Sequence, residues 1–208
     1  MTALDPRQPV TTEAVLDAAL TLFAERGYHG TALSQIAEML GIRTPSLYNH
    51  MRSKQELLQA IVGRTTAAVF KDFKTVVSRT DNPVAQLWDA TEVYAYRHAI
   101  HRREALIVNR DTNSLDEPYR SRFQSRRREH EHAFRALIAR GVSEGLFRVD
   151  SPALASFAIR EMCVSIARWF HESGPLSAEE VAREYSRYAL RIVGAQSDKR
   201  PGGSLGTR

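Results

Sequence analysis

The sequence predicts an all-α protein of about nine helices, in which a small three-helix domain precedes a larger helical domain. Apolar residues recur at the three- and four-residue spacing of amphipathic helices along most of the 208 residues. Residues that start and stop helices separate these runs. We find no segment with the alternation of apolar and polar residues that is typical of a half-buried strand.

Each expected helix has a recognisable boundary. Side chains that cap helix N-termini, prolines of the first turn and glycines beyond the last turn stand between the apolar runs. The expected starts are Thr11 or Thr12, Thr31, Thr44-Pro45, Ser53, Asn82-Pro83, Ser151-Pro152 and Ser177, and the expected stops are Gly27, Gly41 and Gly194. The longer helices are predicted from residue 53 to about 79, then over 83–100, 104–111, 117–140, 152–171 and 178–193.

The composition indicates a globular protein, with 43% hydrophobic and 25% charged residues. The single cysteine, Cys163, excludes an internal disulfide framework and a cysteine-based zinc site. The first ten residues are too polar for a signal peptide, and no apolar run approaches the ~20 residues of a membrane span. We therefore expect a cytoplasmic protein with no membrane partner, no metal and no cofactor.

Residues 40–43 join two short predicted helices with the spacing of a helix-turn-helix. Gly41 permits the tight turn, and Leu47 can pack the second helix against the first. Because such corners are common in helical proteins, the spacing alone does not establish DNA binding. The stretch 42–54 also lacks acidic residues and carries four basic or titratable side chains, which favours a local nucleic-acid contact. These are Arg43, His50, Arg52 and Lys54.

Residues 11–62 resemble the DNA-binding domain of the TetR family of transcriptional repressors, through the blocks 18–28, 36–42 and 46–58. The resemblance implies two sets of DNA contacts. Base-edge contacts are expected from Arg43, Thr44, Pro45 and Ser46, and phosphate contacts from Tyr48, His50 and Lys54. Asn49 is a further polar side chain that the second helix can present to the major groove.

The middle of the chain is rich in arginine, with ten Lys or Arg against six Asp or Glu over residues 101–140. These arginines can form a solvated helix face, or they can bind an anionic effector. In the TetR family the middle helices enclose a ligand cavity. The segments 141–148, 158–160, 165–170 and 174–177 resemble effector domains of actinobacterial repressors of sterol and fatty-acid catabolism, several of which respond to acyl-CoA thioesters. The residues expected to contact the effector are Trp88, Tyr94, Phe123, Arg126, Arg160, Met162 and Trp169.

The resemblance implies a repressor that binds a palindromic double-stranded operator as a homodimer and is released by a small-molecule effector. We expect four segments: a flexible arm (1–10), a DNA-binding domain (11–56), an effector-binding and dimerisation domain (57–194) and a disordered tail (195–208). The last two helices are expected to form the dimer interface, through apolar stripes on both. The stripe residues are Leu154, Phe157, Ala158, Met162, Ile166 and Phe170 on one helix and Val181, Tyr185, Tyr188, Ala189 and Ile192 on the other.

Two other kinds of function remain open. The same fold can serve an activator, or a regulator that responds to a neutral hydrophobic ligand. Residues 141–145 also match the G-x-S-x-G pattern of a hydrolase that uses Ser143. That chemistry needs a strand before the serine, and a helical stretch stands there instead. We therefore expect no enzymatic activity.

Overall fold

A computed structural model of the chain describes residues 9–201, and within them it contains nine α-helices, one 3₁₀-helix and no strand. The all-α prediction is confirmed. Residues 1–8 of the predicted arm and 202–208 of the predicted tail lie outside the described part. The α-helices are α1 (Thr12–Arg26), α2 (Leu33–Met39), α3 (Thr44–Leu47), α4 (Lys54–Val77), α5 (Pro83–Ile100), α6 (Arg102–Asp111), α7 (Tyr119–Ser143), α8 (Pro152–Trp169) and α9 (Ala178–Ile192), and the 3₁₀-helix is Thr112–Ser114.

The chain forms two compact units. Unit 1 contains the residues up to Thr66 together with Arg103–Gln124, and unit 2 contains Ala67–Arg102 and the residues from Ser125 onward. The chain crosses between the units three times, inside α4, after the first residue of α6 and inside α7. The units therefore differ from the predicted functional boundary at residue 56, because most of α6 and the first turn of α7 pack with the N-terminal helices.

The core of unit 1 is built from the apolar faces of α1, α2, α3 and the first half of α4. Two fully or almost fully buried residues from the middle of the chain, Ile107 and Leu115, complete it. Burial of these side chains removes apolar surface from water, so the segment 103–124 is held to the N-terminal helices by the hydrophobic effect. The largest buried members from the N-terminal part are Val15, Phe23, Ile36, Leu47 and Leu58.

Helix α5 lies at the centre of unit 2 and packs against both α8 and α9. It is buried around most of its circumference, which explains why its sequence is apolar on more than one face. Phe134 and Ile138 of α7, Ile159 of α8 and Leu190 of α9 are fully buried around it.

Local capping follows the sequence prediction at most helix starts. The side chains of Thr11, Asn82, Ser151 and Ser177 each accept a backbone N–H of the helix they precede. Thr31 differs: its hydroxyl donates to the carbonyls of Leu22 (3.1 Å) and Gly27 (2.9 Å) and does not cap α2. The prediction for Thr31 is wrong because Ala32 occupies the N-cap position of α2, and the Thr31 hydroxyl lies against the carbonyls at the end of α1.

The first residues of the predicted disordered tail are packed on unit 2, which corrects that part of the prediction. Ala195 is partly buried against the unit 2 core. Five residues further on, Arg200 forms an ion pair with the buried Asp89 of α5. Since the partner lies 111 residues away in the sequence, the polar composition of the tail gave no sign of it.

Candidate DNA-binding and effector-binding sites

The turn between α2 and α3 presents a short polar surface. Gly41 has a φ of 67°, a left-handed conformation that glycine adopts without strain. Leu47 is fully buried and anchors α3 on the core of unit 1. The rest of the segment 43–50 is therefore turned outward or lies at the edge of the core.

The structure brings together seven of the eight predicted DNA-binding residues on this surface. Arg43, Pro45, Tyr48 and Asn49 are exposed, and Thr44, Ser46 and His50 are half-buried. Tyr48 is 57% exposed although it is a large aromatic residue. An exposed tyrosine beside hydroxyls, an amide and an arginine provides donors that suit phosphates and base edges.

Lys54, the eighth residue, begins α4, and its ammonium group lies over two aromatic rings. Its Nζ lies 4.3 Å from the centroid of the Tyr28 ring and 5.9 Å from that of Phe23. Partial burial lowers the pKa of Lys54, and the nearby Asp111 opposes this effect. The ammonium group thus binds an aromatic face of unit 1 through a cation–π contact, in addition to the phosphate role predicted for it.

Within unit 1, the segment 103–124 braces α1, the loop that follows α1 and the start of α4. The Gln55 amide donates to the Ser114 carbonyl and accepts the Asp116 N–H, while the Ser114 hydroxyl lies 2.8 Å from His29 Nε2. Arg110 donates to the carbonyl of Phe23 at the end of α1. These bracing residues escaped the sequence reasoning because their partners lie 59 or more residues away in the chain.

A second site is a buried aromatic cluster in unit 2, centred on His130 of α7. The imidazole centroid lies 5.0 Å from the ring of Phe73, 5.4 Å from that of Tyr94 and 5.3 Å from that of Phe134. Phe70 joins the edge of the group at 6.1 Å. The sequence pointed to Tyr94 in this cluster but not to His130, which looked like one histidine among several on a charged helix.

Polar atoms without partners adjoin the cluster. His130 Nε2, Arg160 Nε and Ser156 Oγ are buried and have no hydrogen-bond partner. Ser156 and Arg160 lie one turn apart on α8, and the Arg160 side chain is only 7% exposed. Its nearest carboxylate oxygen, on Glu131, is 3.9 Å away. A buried polar group normally has a partner, so this neighbourhood is suited to a ligand with acceptor atoms.

Burial keeps the titratable groups of this cluster in their neutral forms. It lowers the pKa of His130 to about 3 and that of His98 to about 4, and the Arg160 charge adds to both effects. Burial also raises the pKa of Tyr94 to about 12 and raises the pKa of the Cys163 thiol. The site thus combines the Arg160 guanidinium with an apolar aromatic wall, and the Glu131 carboxylate lies 3.9 Å from the guanidinium.

Two family models match the chain. The model of bacterial regulatory proteins of the tetR family matches residues 15–61, and the model of the tetracyclin repressor-like C-terminal domain matches residues 80–193. The chain belongs to the TetR family.

Relatives of this TetR protein are transcriptional repressors. The HTH-type transcriptional repressor KstR2 of Mycolicibacterium smegmatis is 29% identical over 202 residues, which cover 93% of this chain and 97% of the relative. The structure of the ketosteroid transcriptional regulator KstR2 of Mycobacterium tuberculosis gives a TM-score of 0.84 at 26% identity, over 91% of this chain and 98% of that one. AibR in complex with isovaleryl coenzyme A and operator DNA shares the fold, with a TM-score of 0.77 at 23% identity over 88% and 98%. This member of the TetR family is thus a helix-turn-helix transcriptional regulator.

The predicted effector-binding residues of the TetR protein divide into two groups. Tyr94 and Arg160 lie at the buried cluster, and Trp88 and Met162 pack against the unit 2 core beside Phe73 and Phe134. The other three do not lie at this cluster: Phe123 packs on the core of unit 1, Arg126 is exposed, and the half-exposed Trp169 lies near the rings of Phe170 and Tyr185. Residue type alone does not distinguish an aromatic that lines a cavity from one that packs elsewhere.

The geometry of residues 9–201 supports neither a hydrolase at Ser143 nor a metal site. Ser143 ends α7 and its hydroxyl donates to the Arg140 carbonyl (2.8 Å), which is the position of a helix-ending serine and not of a nucleophile after a strand. Over residues 9–201, no group of three or more His, Cys, Asp or Glu side chains is placed to hold a metal ion. In the same range, none of the helices is long and apolar enough to cross a membrane.

Several large apolar side chains of α8 and α9 are exposed to solvent. Leu154, Phe157, Tyr188 and Ile192 are exposed, and Phe157 has 56% of its surface accessible. Several stripe residues predicted for the interface are instead part of the core, which corrects their assignment. These are Ile166, Phe170, Val181 and Ala189. The outer face of α8 and α9 therefore contains fewer of the predicted stripe residues than the sequence suggested, and it is defined by the four large ones that are exposed, Leu154, Phe157, Tyr188 and Ile192.

Proposed function

We propose that the protein is a repressor that binds a palindromic operator as a homodimer and leaves it when a small-molecule effector binds unit 2. The acid-free surface 43–50 and the family membership support operator binding. The observation that carries the effector part is the Arg160 guanidinium, which is buried beside an aromatic cluster while its Nε lacks a partner. A ligand that supplies the missing acceptor would gain a charge-assisted hydrogen bond.

An acyl-CoA thioester is the effector class that we propose. Such a ligand has an apolar acyl group for the rings around His130 and acceptor oxygens for Arg160. The structure of AibR with isovaleryl coenzyme A supports a ligand of this kind. The buried Nε2 of His130, which has no hydrogen-bond partner, favours a second candidate, an uncharged hydrophobic ligand with a carbonyl or hydroxyl group, since each nitrogen of a neutral imidazole either donates or accepts a hydrogen bond.

The outer face of α8 and α9 is the surface that we propose for dimerisation. Four exposed apolar side chains on two adjacent helices form a patch that a second copy would remove from water. A symmetric dimer would present two 43–50 surfaces to half-sites about 34 Å, or one helical turn, apart. This arrangement explains why the operator should be palindromic.

The segment 103–124 is the part of the chain that we propose transmits the effector signal. It belongs to unit 1 through Ile107, Leu115 and the hydrogen bonds of Gln55 and Arg110, and it is joined covalently to unit 2 at both of its ends. An effector that shifts α7 or the end of α5 would therefore change the support of α1 and α4. The effector acts by favouring one of two dimer conformations, and only one of them fits both half-sites.

Thermal unfolding against a panel of acyl-CoA thioesters, free CoA, the matching free acids and neutral steroids tests the effector site. A ligand at 100 times its Kd adds about 2.7 kcal/mol to the free energy of unfolding. That increment raises the unfolding midpoint by about 5 to 10 °C for a chain of this size. The same ligand should release a fluorescent operator fragment from the protein.

Two variants locate the effector site. Arg160→Ala should abolish the ligand-induced shift, whereas Arg126→Ala, which removes an exposed arginine of α7, should keep it. A shift with neutral steroids alone would support the second effector class. No shift with any member of the panel, together with intact operator binding, would reject both effector classes.

A further inference from the structure

The segment that follows α9 turns back onto unit 2. Gly194 has a φ of 61°, and a Cβ at this position would lie 2.7 Å from the Arg148 carbonyl oxygen. The Arg148 N–H donates to the Val193 carbonyl (2.8 Å), and the Ala195 N–H donates to the Leu190 carbonyl (3.0 Å). These contacts reverse the chain at a defined point and direct residues 195–200 toward α5.

Arg200 ends this segment on a buried carboxylate. Its Nε lies 2.7 Å from Asp89 Oδ1 and one terminal nitrogen lies 3.0 Å from Asp89 Oδ2, the paired geometry of a guanidinium on a carboxylate. The Asp89 side chain is 5% exposed and the Arg200 side chain 28%. The pair is thus largely removed from water, although its two members come from opposite parts of the chain.

The surroundings of Asp89 favour a cation beside its carboxylate. Glu92 lies one turn further along α5 and is half-buried. Burial and the charge of Asp89 raise the pKa of Glu92, while Arg200 and Arg183 oppose that effect. Two carboxyl groups on one turn of a buried helix repel each other and are poorly solvated. Without Arg200, Asp89 would be a buried charge that has lost its direct ion pair.

The contact lies where α5 meets α9. The Ser186 hydroxyl of α9 donates to the carbonyl of Trp88, the residue that precedes Asp89 (3.1 Å). The segment 195–200 therefore joins the end of α9 to the same turn of α5 that α9 contacts directly. A second pair in the segment, Arg191 with Asp198, is solvent-exposed, with 59% and 36% of the side chains accessible. Exposed pairs of this kind contribute little to stability.

We propose that residues 195–200 form a strap that locks α9 onto α5 through Arg200, and that opening of this strap loosens unit 2 while leaving unit 1 intact. The Asp89 carboxylate is the group on α5 that the Arg200 guanidinium binds. The strap is independent of the effector site proposed above, because none of its residues belongs to the aromatic cluster.

Chemical rescue tests the strap. Arg200→Ala should lower the unfolding midpoint by about 5 to 10 °C, the loss expected when one partner of a mostly buried ion pair is removed. Millimolar methylguanidinium chloride should restore part of this loss in Arg200→Ala and have no such effect on the wild type. Tetramethylammonium chloride at the same concentration should restore nothing, since it cannot donate hydrogen bonds. Arg191→Ala is the matched control and should stay within about 2 °C of the wild type.

Two further measurements distinguish a strap from a general loss of folding. In Arg200→Ala, amide hydrogen exchange should become at least about tenfold faster in α5 and in the last turns of α9, and stay unchanged in α1 and α2. The double variant Asp89→Asn/Arg200→Ala should recover part of the midpoint, because an amide needs no counter-ion, while amide exchange in the last turns of α9 should stay fast, because the strap has no lock. An Arg200→Ala midpoint equal to that of the wild type, equal rescue by both salts or a uniform increase in exchange would overturn the proposal. If Arg200→Ala cannot be purified, amide exchange in α9 of the double variant is compared with that of Arg191→Ala instead.

Discussion

Two histidines of unit 2 remain uncharged at neutral pH because their surroundings exclude water. The Nδ1 atom of His98 lies 2.8 Å from the Tyr94 carbonyl oxygen, and the His130 ring is surrounded by four aromatic rings. Their pKa values in the folded state, about 4 and about 3, lie below the ordinary value of 6.5. The unfolded chain therefore binds more protons than the folded one below about pH 6.5, and the free energy of unfolding must fall as the pH is lowered toward 4.

His130→Phe should weaken this acid sensitivity. A phenyl ring fits among aromatic neighbours and binds no proton, so the variant should lose less of its unfolding free energy between pH 6.5 and pH 4 than the wild type does. Urea unfolding at a series of pH values measures the difference. His132→Phe, at an exposed position two residues along α7, is the control. Parallel pH profiles for His130→Phe and the wild type would show that His130 is not the buried titrating group.

The two kinds of DNA contact should respond differently to substitution. Lys54→Ala should weaken binding to all sequences alike and reduce the salt dependence of log Kd by roughly one, because a phosphate contact releases about one counter-ion. Thr44→Ala should relax the preference for one base pair and keep the salt slope. Lys71→Ala, an exposed lysine of unit 2, is the control for charge. Binding titrations at several salt concentrations check the roles; a sequence-independent loss in Thr44→Ala would contradict its role at base edges.

At the scale of elements, two glycines inside helices have opposite surroundings. A Cβ on Gly141 of α7 would lie 2.1 Å from the Phe147 ring, whereas a Cβ on Gly63 of α4 would have no neighbour within 4 Å. Both look alike in the sequence, as glycines within apolar helical runs. Gly141 allows the buried Phe147 to approach the backbone of α7, and Gly63 carries only the entropic penalty of glycine in a helix.

Alanine at these two positions should therefore change stability in opposite directions. Gly141→Ala should lower the free energy of unfolding by about 1 to 3 kcal/mol, since the new methyl group overpacks a buried ring. Gly63→Ala should raise it by about 0.5 to 1 kcal/mol. Chemical unfolding of both variants measures the two values. Phe147→Leu combined with Gly141→Ala should recover part of the loss; no recovery would place the clash elsewhere.

Helix boundaries follow from local chemistry, and the sequence predicted most of them. Asn82 and Ser177 cap helices because their side chains reach N–H groups two or three residues away, wherever those helices pack. Thr31 was misassigned since its hydroxyl found carbonyls of the preceding helix, a choice made by the packing of α1. Predictions at this scale fail where a side chain has two possible partners and only the fold selects between them.

For the whole molecule, the proposed dimer gives a direct prediction. Phe157→Arg places a charge in the exposed apolar face of α8 and α9 and should convert a dimer into a monomer. A monomer contacts one half-site, so operator affinity should fall at least about a hundredfold, as when a second linked binding event is lost. Sedimentation and operator titration measure the two effects. Ile100→Arg, at an exposed apolar residue of α5, should change neither; a Phe157→Arg protein that stays dimeric would place the interface elsewhere.

The sequence by itself determined the helical fold, the helix-turn-helix and the residues of its polar surface, because these depend on periodicity, caps and a contiguous motif. Only the tertiary structure decided which residues lie together in the buried aromatic cluster: the sequence predicted Tyr94 and Arg160 as effector contacts but not His130, and the three residues come from three helices. The same holds for Gln55 with Ser114 and for Arg200 with Asp89, which are 59 and 111 residues apart. Local patterns report contacts within a few residues, whereas burial and ion pairing between distant segments arise only when the whole chain is packed.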